Sequence, residues 1–443
     1  MMKKLLYLLL IVPFISNAQF WTEKATTFTN ISRATNSISI VDANNVWVKV
    51  GDGSGGASQT IKEYARSSDG GNTWTSGVMN LGLGSATLGI GNITAVSATT
   101  AWVAAFPTSN NLGGIWQTTN GGTTWTKQAT ALFNTNPDSF ANWVHFFDAN
   151  NGVCQGDPAG GYFEIYTTNN GGTTWTRVPS ANIPLPLAGG EFGITNVFEV
   201  AGGVIWFGTD AGRLFKSTNM GLNWTVSTTP SLNLGADSFT FSDANNGLIC
   251  VAPVAPATSP TLLYRSVNGG ATWTPQTYSG NAFFGDLTYV PGSSQVVSTG
   301  AVSGASGSSY SLDNGLTWTD IDALQHLQVE FLNNTTGFTG GFNASATVGG
   351  ISKYTGTVLP IQSFEAIGFS VYPNPVNDNF TIQNGNNIAI SGLTISDING
   401  RTVKTLNVNA IENQINISDL NSGVYFLNIA SENGSATKKI IKN

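Results

Sequence analysis

Apolar residues along the chain occur in short runs separated by turns rich in Gly, Asn, Ser and Thr. One pattern recurs: an apolar strand, a short polar turn and a second apolar strand, as in IVDANNVWV from residue 40 and FSDANNGLI from residue 241. Seven copies start at residues 40, 95, 146, 199, 241, 289 and 331. Short runs bounded by such turns predict β-hairpins, and no long stretch has the 3.6-residue period of a helix. The chain is therefore predicted to be all-β.

A nine-residue motif ending in Trp-Thr recurs about every 50 residues, in the same register as the hairpins. It reads SSDGGNTWT at residue 67 and has five further copies, whereas a seventh Trp-Thr at Trp21 lacks the preceding turn. A fixed period of this length with about four short strands per period is typical of a β-propeller. We expect seven blades over residues 19–357. The N-terminal segment FWTEKATTF is predicted to supply the missing outer strand of the last blade and to close the ring.

The third position of the motif carries a short acidic or amide side chain in all six copies. It is Asp in two and Asn in four, namely Asp69, Asn120, Asn170, Asn219, Asn268 and Asp313. A general acid, a nucleophile or a calcium ligand would not tolerate four amides, whereas a turn that needs only an accepting oxygen would. We interpret the motif as a structural turn.

The motif S-x-D-x-G-x-T-W resembles the Asp-box, or bacterial neuraminidase repeat. This repeat occurs in sialidases, xyloglucan-cleaving enzymes, sortilin-type receptors and the photosystem II assembly-factor family. The resemblance implies a propeller with the boxes at the blade periphery, away from any catalytic face. The single seven-bladed propeller most resembles that of the assembly factors, which act by binding.

Both ends of the chain differ from the repeats in composition and in sequence pattern. Residues 1–18 have a basic start, an apolar run and a small-residue site between Ala18 and Gln19, which predicts a secretory signal peptide. After a linker at 358–366, residues 367–443 lack Trp and the nine-residue motif. Their short alternating strands predict a small β-sandwich, with a type I′ turn at Asn399-Gly400.

The C-terminal segment resembles the sorting domain of the type IX secretion system of Bacteroidetes. The matching stretches are YPNP from residue 372, DINGR from 397, LNSGVYFLNI from 420 and the basic end KKIIKN from 438. The resemblance implies that the type IX machinery is a partner through residues 367–443. It also implies cargo that is released or attached to the cell surface.

Charge and cysteine content narrow the function classes. The formal net charge is −7, and residues 19–359 hold eleven Lys and Arg against nineteen Asp and Glu. This acidic balance argues against nucleic acid as a partner, and no further apolar run is long enough for a transmembrane segment. Cys154 and Cys250 lie in equivalent strands two repeats apart, so two buried free thiols are favoured over a disulfide. We expect neither a metal nor a cofactor.

A ligand site is expected on the face opposite the Asp-boxes, where the loops between second and third strands meet the connections between blades. Candidate residues in the first set are Asp52, Asp157, and Asp210 with Arg213; Trp116 could stack on a sugar, although core packing is the better interpretation. Each lone carboxylate is more typical of a turn than of a site. The connections between blades add Asp138, Glu191, Asp237 and Asp286.

The candidate residues can be compared with the requirements of two enzyme families and of two non-catalytic roles. A sialidase needs three rim arginines, and only Arg33 and Arg213 are placed for this. An inverting glycosidase needs two carboxylates about 6.5–9.5 Å apart, which a pair from Asp52, Asp157 and Asp210 could supply, but the xyloglucan-cleaving family uses two tandem propellers. The leading hypothesis is a secreted or cell-surface propeller that binds a protein or glycan without catalysis. The alternative is a glycoside hydrolase, and a third possibility is a structural component of the cell surface.

Overall fold

The structure, a computed structural model, describes residues 20–356 apart from 57, 110–111, 136–137 and 253–260. It also describes residues 369–384, 390–397, 402–406, 412–431 and 434–443. The predicted signal peptide with its Ala18–Gln19 site, the linker and the Asn399-Gly400 turn lie outside the described residues.

The described part of residues 20–356 forms seven four-stranded antiparallel blades, which confirms the all-β propeller prediction. Blade 1 contains β2 Arg33–Ile40, β3 Val46–Asp52, β4 Glu63–Ser67 and β5 Thr75–Val78. Blade 2 contains β6 Leu88–Ala95, β7 Ala101–Pro107, β8 Gly114–Thr118 and β9 Thr126–Lys127. Blade 3 contains β10 Ala141–Phe146, β11 Gly152–Pro158, β12 Phe163–Thr168 and β13 Thr176–Arg177. Blade 4 contains β14 Gly193–Ala201, β15 Val204–Thr209, β16 Arg213–Ser217 and β17 Thr225–Thr228. Blade 5 contains β18 Ser238–Phe241, β19 Gly247–Val251, β20 Leu262–Ser266 and β21 Thr274–Gln276. Blade 6 contains β22 Asp286–Tyr289, β23 Val296–Val302, β24 Ala305–Ser311 and β25 Thr319–Asp322. Blade 7 contains β26 Val329–Asn333, β27 Thr336–Ser345, β28 Val348–Tyr354 and, as its outer strand, β1 Trp21–Ala25. Short 3-10 turns lie at Ser85–Thr87 and Ser180–Asn182.

The ring is closed by the N-terminal strand. β1 pairs antiparallel with β28, with Trp21 opposite Tyr354 and Ala25 opposite Gly350. The indole N–H of Trp21 donates to the hydroxyl of Ser308 at 3.1 Å, and Trp21 is only 4% exposed. The first described residues therefore complete the last blade.

The antiparallel order of each blade defines two faces. The hairpins between first and second strands and the nine-residue turns lie on one face, here called the Asp-box face. The loops between second and third strands and the connections between blades lie on the other, here called the interblade-loop face.

Aromatic side chains pack between neighbouring blades. Trp102 in blade 2 stacks on Phe146 in blade 3 with ring centroids 3.6 Å apart, and Trp206 in blade 4 stacks on Phe241 in blade 5 at 3.9 Å. Both tryptophans are essentially buried. Each such contact removes a large apolar area from water, and this burial holds the blades together. Cys154 and Cys250 are buried free thiols, as expected from their positions in separate blades.

The C-terminal part contains two sheets around one apolar core, as predicted for a sandwich. Core residues from both sheets include Phe380, Ile382, Leu393, Leu427 and Ile429. The three-stranded sheet has the order β29 Phe369–Tyr372, β30 Asn379–Asn384 and β33 Glu412–Asn416. The four-stranded sheet has the order β32 Thr402–Leu406, β31 Ile390–Ser396, β34 Gly423–Ser431 and β35 Gly434–Lys442.

Replacing Trp21 by Ala is expected to lower the free energy of unfolding by about 3–5 kcal/mol, because it leaves a cavity where the ring closes. Urea unfolding followed by tryptophan fluorescence measures this loss. Glu23→Ala, at the exposed position of the same strand, is the control and should change the value by less than about 0.5 kcal/mol. Equal effects of the two substitutions would contradict the closing role of Trp21.

Candidate functional site

The first Asp-box is a turn organised by one carboxylate. Asp69 Oδ1 accepts the backbone N–H of Thr73 at 2.9 Å, and Oδ2 accepts the hydroxyl of Thr73 at 2.7 Å. The hydroxyl of Ser67 donates to Asp69 at 2.8 Å and accepts the N–H of Gly71 at 2.8 Å. The hydrogen bonds from the backbone N–H and hydroxyl of Thr73 lower the pKa of Asp69 to about 2. Asp313 makes the same set of contacts in blade 6.

The amide boxes keep this geometry by reversing one hydrogen bond. Asn120 Oδ1 accepts the N–H of Thr124 at 3.0 Å, whereas Asn120 Nδ2 donates to the hydroxyl oxygen of Thr124 at 2.9 Å. Asn170 and Asn268 repeat this arrangement. Asn219 accepts the backbone N–H of Asn223, whose side chain has no hydroxyl for the second bond. A threonine hydroxyl can donate or accept, so Asp and Asn are interchangeable in this turn.

The box tryptophans differ in their hydrogen bonds. Trp74, Trp224 and Trp318 each donate the indole N–H to the carbonyl of the glycine three residues earlier. In the described part of the chain the indole nitrogens of the other box tryptophans have no acceptor, namely Trp125, Trp175 and Trp273. All six remain packing residues, and the N–H bond is not a requirement of the fold.

On the interblade-loop face, Asp52 is bound by its own loop. Oδ1 accepts the hydroxyl and the N–H of Ser54 at 2.6 and 2.9 Å, and Oδ2 accepts the N–H of Ser58 at 2.9 Å. The hydroxyl of Ser54, followed by the two backbone N–H groups, lowers the pKa of Asp52 to about 2. Asp52 is a loop-capping carboxylate in blade 1, and no contact links it to the other two candidates.

Asp157 and Asp210 converge on one connection, that between blades 3 and 4. Asp157 Oδ1 accepts the side-chain amide of Asn142 at 2.8 Å and the N–H of Gly193 at 3.0 Å, while Asp210 accepts the N–H of Phe192 at 2.7 Å. Burial raises the pKa of Asp157 to about 7, and the charge of Asp210 contributes to the rise. The two carboxylates thus hold adjacent backbone groups.

Arg213 and Trp116 are both engaged within the fold. Arg213 forms a 2.8 Å ion pair with the buried Glu191, which also accepts the hydroxyl of Thr209 at 2.7 Å. Trp116 is 4% exposed and donates its indole N–H to the carbonyl of Leu81 at 3.2 Å. Burial leaves Trp116 without an open ring face for stacking on a sugar, so core packing accounts for it. The cation of Arg213 is already balanced by Glu191.

A groove of about 920 Å³ lies on the interblade-loop side of blades 5 and 6. Tyr264, Tyr278 and Phe283 contribute aromatic surface to it, and Asn281 donates to both carboxylate oxygens of Asp320 at 3.0 and 2.9 Å. Asp52, Asp157 and Asp210 do not line this groove. The sequence pattern gave no sign of it, because its lining comes from two repeats.

A second cavity, of about 550 Å³, occupies the central channel at the Asp-box face. Glu199, Glu330 and His145 lie among its apolar walls. Burial raises the pKa of Glu330 to about 8, with a contribution from the charge of Asp286, and raises the pKa of Glu199 as well. Burial lowers the pKa of His145 to about 4. The two glutamates were missed in the sequence, where the available signal was a charged residue within an apolar inner strand, whereas His145 in the apolar stretch NWVHFFD is readily interpreted as a core histidine.

The channel is bridged by the side chain of Asn196, whose backbone is left-handed with φ of 61°. Its Nδ2 donates to the carbonyl oxygen of Asn36 at 3.1 Å and lies 3.5 Å from Oε1 of Gln328. Blades 4, 1 and 7 are thereby joined across the axis.

The described residues hold no group of three or more His, Cys, Asp or Glu side chains placed to bind a metal ion. They also contain no helix of the length and apolarity needed to cross a membrane.

Comparison with known proteins identifies the C-terminal part. Residues 370–443 match the family described as the secretion system C-terminal sorting domain. No curated protein matches the chain. The family match identifies residues 370–443 as a type IX sorting domain. This domain implies interaction with that secretion machinery and a location outside the cell or at the outer cell surface.

Solved structures resemble the propeller. YCF48 from Cyanidioschyzon merolae is 16% identical, with 76% of this chain and 98% of that chain covered and a TM-score of 0.53. A structure described as YCF48 bound to D1 peptide is 15% identical over the same shares, with a TM-score of 0.49. The GH74 enzyme of Niastella koreensis is 13% identical over 92% of this chain and 66% of that chain, with a TM-score of 0.42. At such identities the similarity establishes a shared propeller fold alone.

Replacing Asp69 by Asn is expected to change the free energy of unfolding at pH 7 by less than about 0.5 kcal/mol, because Asn occupies this position in four other blades. Asp69→Ala should cost about 1–2 kcal/mol, since the turn loses its acceptor. The lowered pKa of Asp69 means that its carboxylate stabilises the fold above pH 4 and loses this effect as the pH falls towards 2. Urea unfolding at pH 7 and pH 3 should show a smaller pH dependence for Asp69→Asn; an unchanged pH dependence would contradict the turn role of the carboxylate.

Replacing Glu330 by Gln is expected to stabilise the protein more at pH 8 than at pH 5. The raised pKa means that the unfolded chain releases this proton at a lower pH than the folded protein, so stability falls as the pH rises from about 4.5 to about 8. The gain at pH 8 should be about 1 kcal/mol or more, because each unit of pKa shift corresponds to about 1.4 kcal/mol. Thermal unfolding at both pH values measures it, with Glu23→Gln as control; a gain independent of pH would refute the assignment.

Proposed function

We propose that this protein is a secreted or cell-surface propeller that binds an extracellular ligand without catalysing a reaction. The observation that carries the proposal is the state of the three candidate carboxylates on the interblade-loop face. Asp52 caps its own loop, and Asp157 and Asp210 hold the backbone N–H groups of Gly193 and Phe192. Each has a role in loop structure that needs no substrate.

Charged side chains of this face also have hydrogen-bond or ion-pair partners within the fold. Both oxygens of Asp52 accept hydrogen bonds from its loop, and Arg213 is paired with the buried Glu191. A glycosidase requires an acid and a base directed at one bond of a bound sugar. None of the three carboxylates lines the groove or the channel cavity described above, so neither cavity has these residues as its acid and base.

A glycoside hydrolase is the second candidate, and one observation favours it. Burial and the charge of Asp210 raise the pKa of Asp157 to about 7. A carboxyl group whose pKa is raised towards neutral pH beside a second carboxyl group is the arrangement of a glycosidase acid and base. In this alternative Asp157 donates the proton to the leaving group and Asp210 acts as the base.

The test is incubation of the intact protein with a panel of plant, algal and host glycans, followed by mass spectrometry of the products. We expect no new oligosaccharides. Products from the unsubstituted protein that disappear in Asp157→Asn and Asp210→Asn would overturn the proposal and establish the hydrolase. Glu23→Gln, at an exposed carboxylate on the outer strand of the last blade, is the control and should leave any such activity unchanged.

A further inference from the structure

The connections between blades expose a ring of aliphatic side chains on the interblade-loop face. Six of the seven connections each present at least one large aliphatic residue that is 50% exposed or more. We call these residues the aliphatic ring: Ile31, Leu83, Leu132, Leu185, Leu232 and Leu324. The seventh connection, residues 277–285, instead directs Phe283 and Phe284 into the groove.

The hairpin turns of the Asp-box face differ from these connections in the apolar side chains that they expose. Within the described residues, the turns between first and second strands of the seven blades contain no exposed large apolar side chain. A single exposed leucine is ordinary on a soluble protein, but clustered exposed apolar residues mark interaction surfaces. The nine-residue turns of the Asp-box face expose Met220, Leu222, Val267 and Leu316, which belong to three blades. The aliphatic ring differs in extending over six of the seven connections.

The same connections are acidic. They contain Asp138 and Asp237 on the surface, the buried Glu191, which is paired with Arg213, and neither lysine nor arginine. The neighbouring loops add Asp52 and Asp210 against Lys62, whose ammonium donates to two backbone carbonyls. The guanidinium of Arg213 is neutralised by Glu191. The face therefore combines aliphatic surface with net negative charge.

We infer that the ligand of this face is a polypeptide segment carrying aliphatic and basic side chains. The inference rests on the proposed binding function and narrows its ligand class. The aromatic side chains of this face are concentrated in the groove and at Phe192. The aliphatic ring itself offers no flat ring face on which a sugar could stack, and its side chains match aliphatic side chains of a polypeptide. Lysine and arginine of the segment complement the carboxylates. A second copy of the chain is disfavoured as the occupant because it would present the same acidic face.

The experiment is selection of random dodecapeptides displayed on phage against the immobilised intact protein. We expect enriched peptides to carry Leu, Ile, Val or Phe together with Lys or Arg. A synthetic selected peptide is then titrated by fluorescence polarisation. Binding should weaken at least about tenfold in the double variant Leu185→Ser with Leu232→Ser, as expected for loss of central apolar contacts, and should also weaken at higher salt.

The matched control is Leu222→Ser with Leu316→Ser, which removes exposed leucines from the Asp-box face. It should leave the affinity within about twofold of the unsubstituted protein, and circular dichroism confirms that both double variants fold. If the ring variant does not fold, Leu83→Ser with Leu132→Ser replaces it.

Four outcomes would overturn the inference. They are the absence of enriched peptides, enrichment without basic residues, equal weakening by the ring and control variants, and a dimer that the ring variant dissociates. Each leaves the non-catalytic proposal standing provided that the glycan panel gives no products. Turnover in that panel would instead remove the proposed function itself.

Discussion

The fold depends on the pairing of the first described strand with the last strand of the propeller. Strands β1 and β28 join the two ends of the ring, and Trp21 is fixed to Ser308 across 287 positions of sequence. Without this pairing, β28 would be the outer strand of a three-stranded last blade, with unpaired N–H and C=O groups along its free edge. Every feature that lies on the ring, including the channel and both faces, has its position because the ring is closed.

The repeats made the architecture predictable. Each blade carries the same hairpin and the same turn, so a weak local signal is repeated seven or six times in one register. Asp69 and Asn120 occupy the same position in two copies of the motif, and this variation between Asp and Asn also indicates a structural turn from the sequence alone. In the structure the threonine hydroxyl explains this exchange, because it donates to the carboxylate and accepts from the amide.

The candidate site was less predictable because its groups come from different repeats. Glu199 and Glu330 face one channel, yet in sequence each is a single charged residue in an apolar strand. Arg213 stood in an apparent rim loop, and only the structure reveals its ion pair with Glu191. Asp157 and Asp210 were predicted to lie on one face, but their convergence on Phe192 and Gly193 depends on how the connection between blades folds back.

The bridge at Asn196 has a consequence for movement through the molecule. Its amide joins Asn36 and Gln328 across the axis, at the end of the cavity away from the Asp-box face. A solute that enters the cavity from the Asp-box side reaches the two glutamates first and this amide after them. The amide therefore narrows the axial path between the two faces of the propeller.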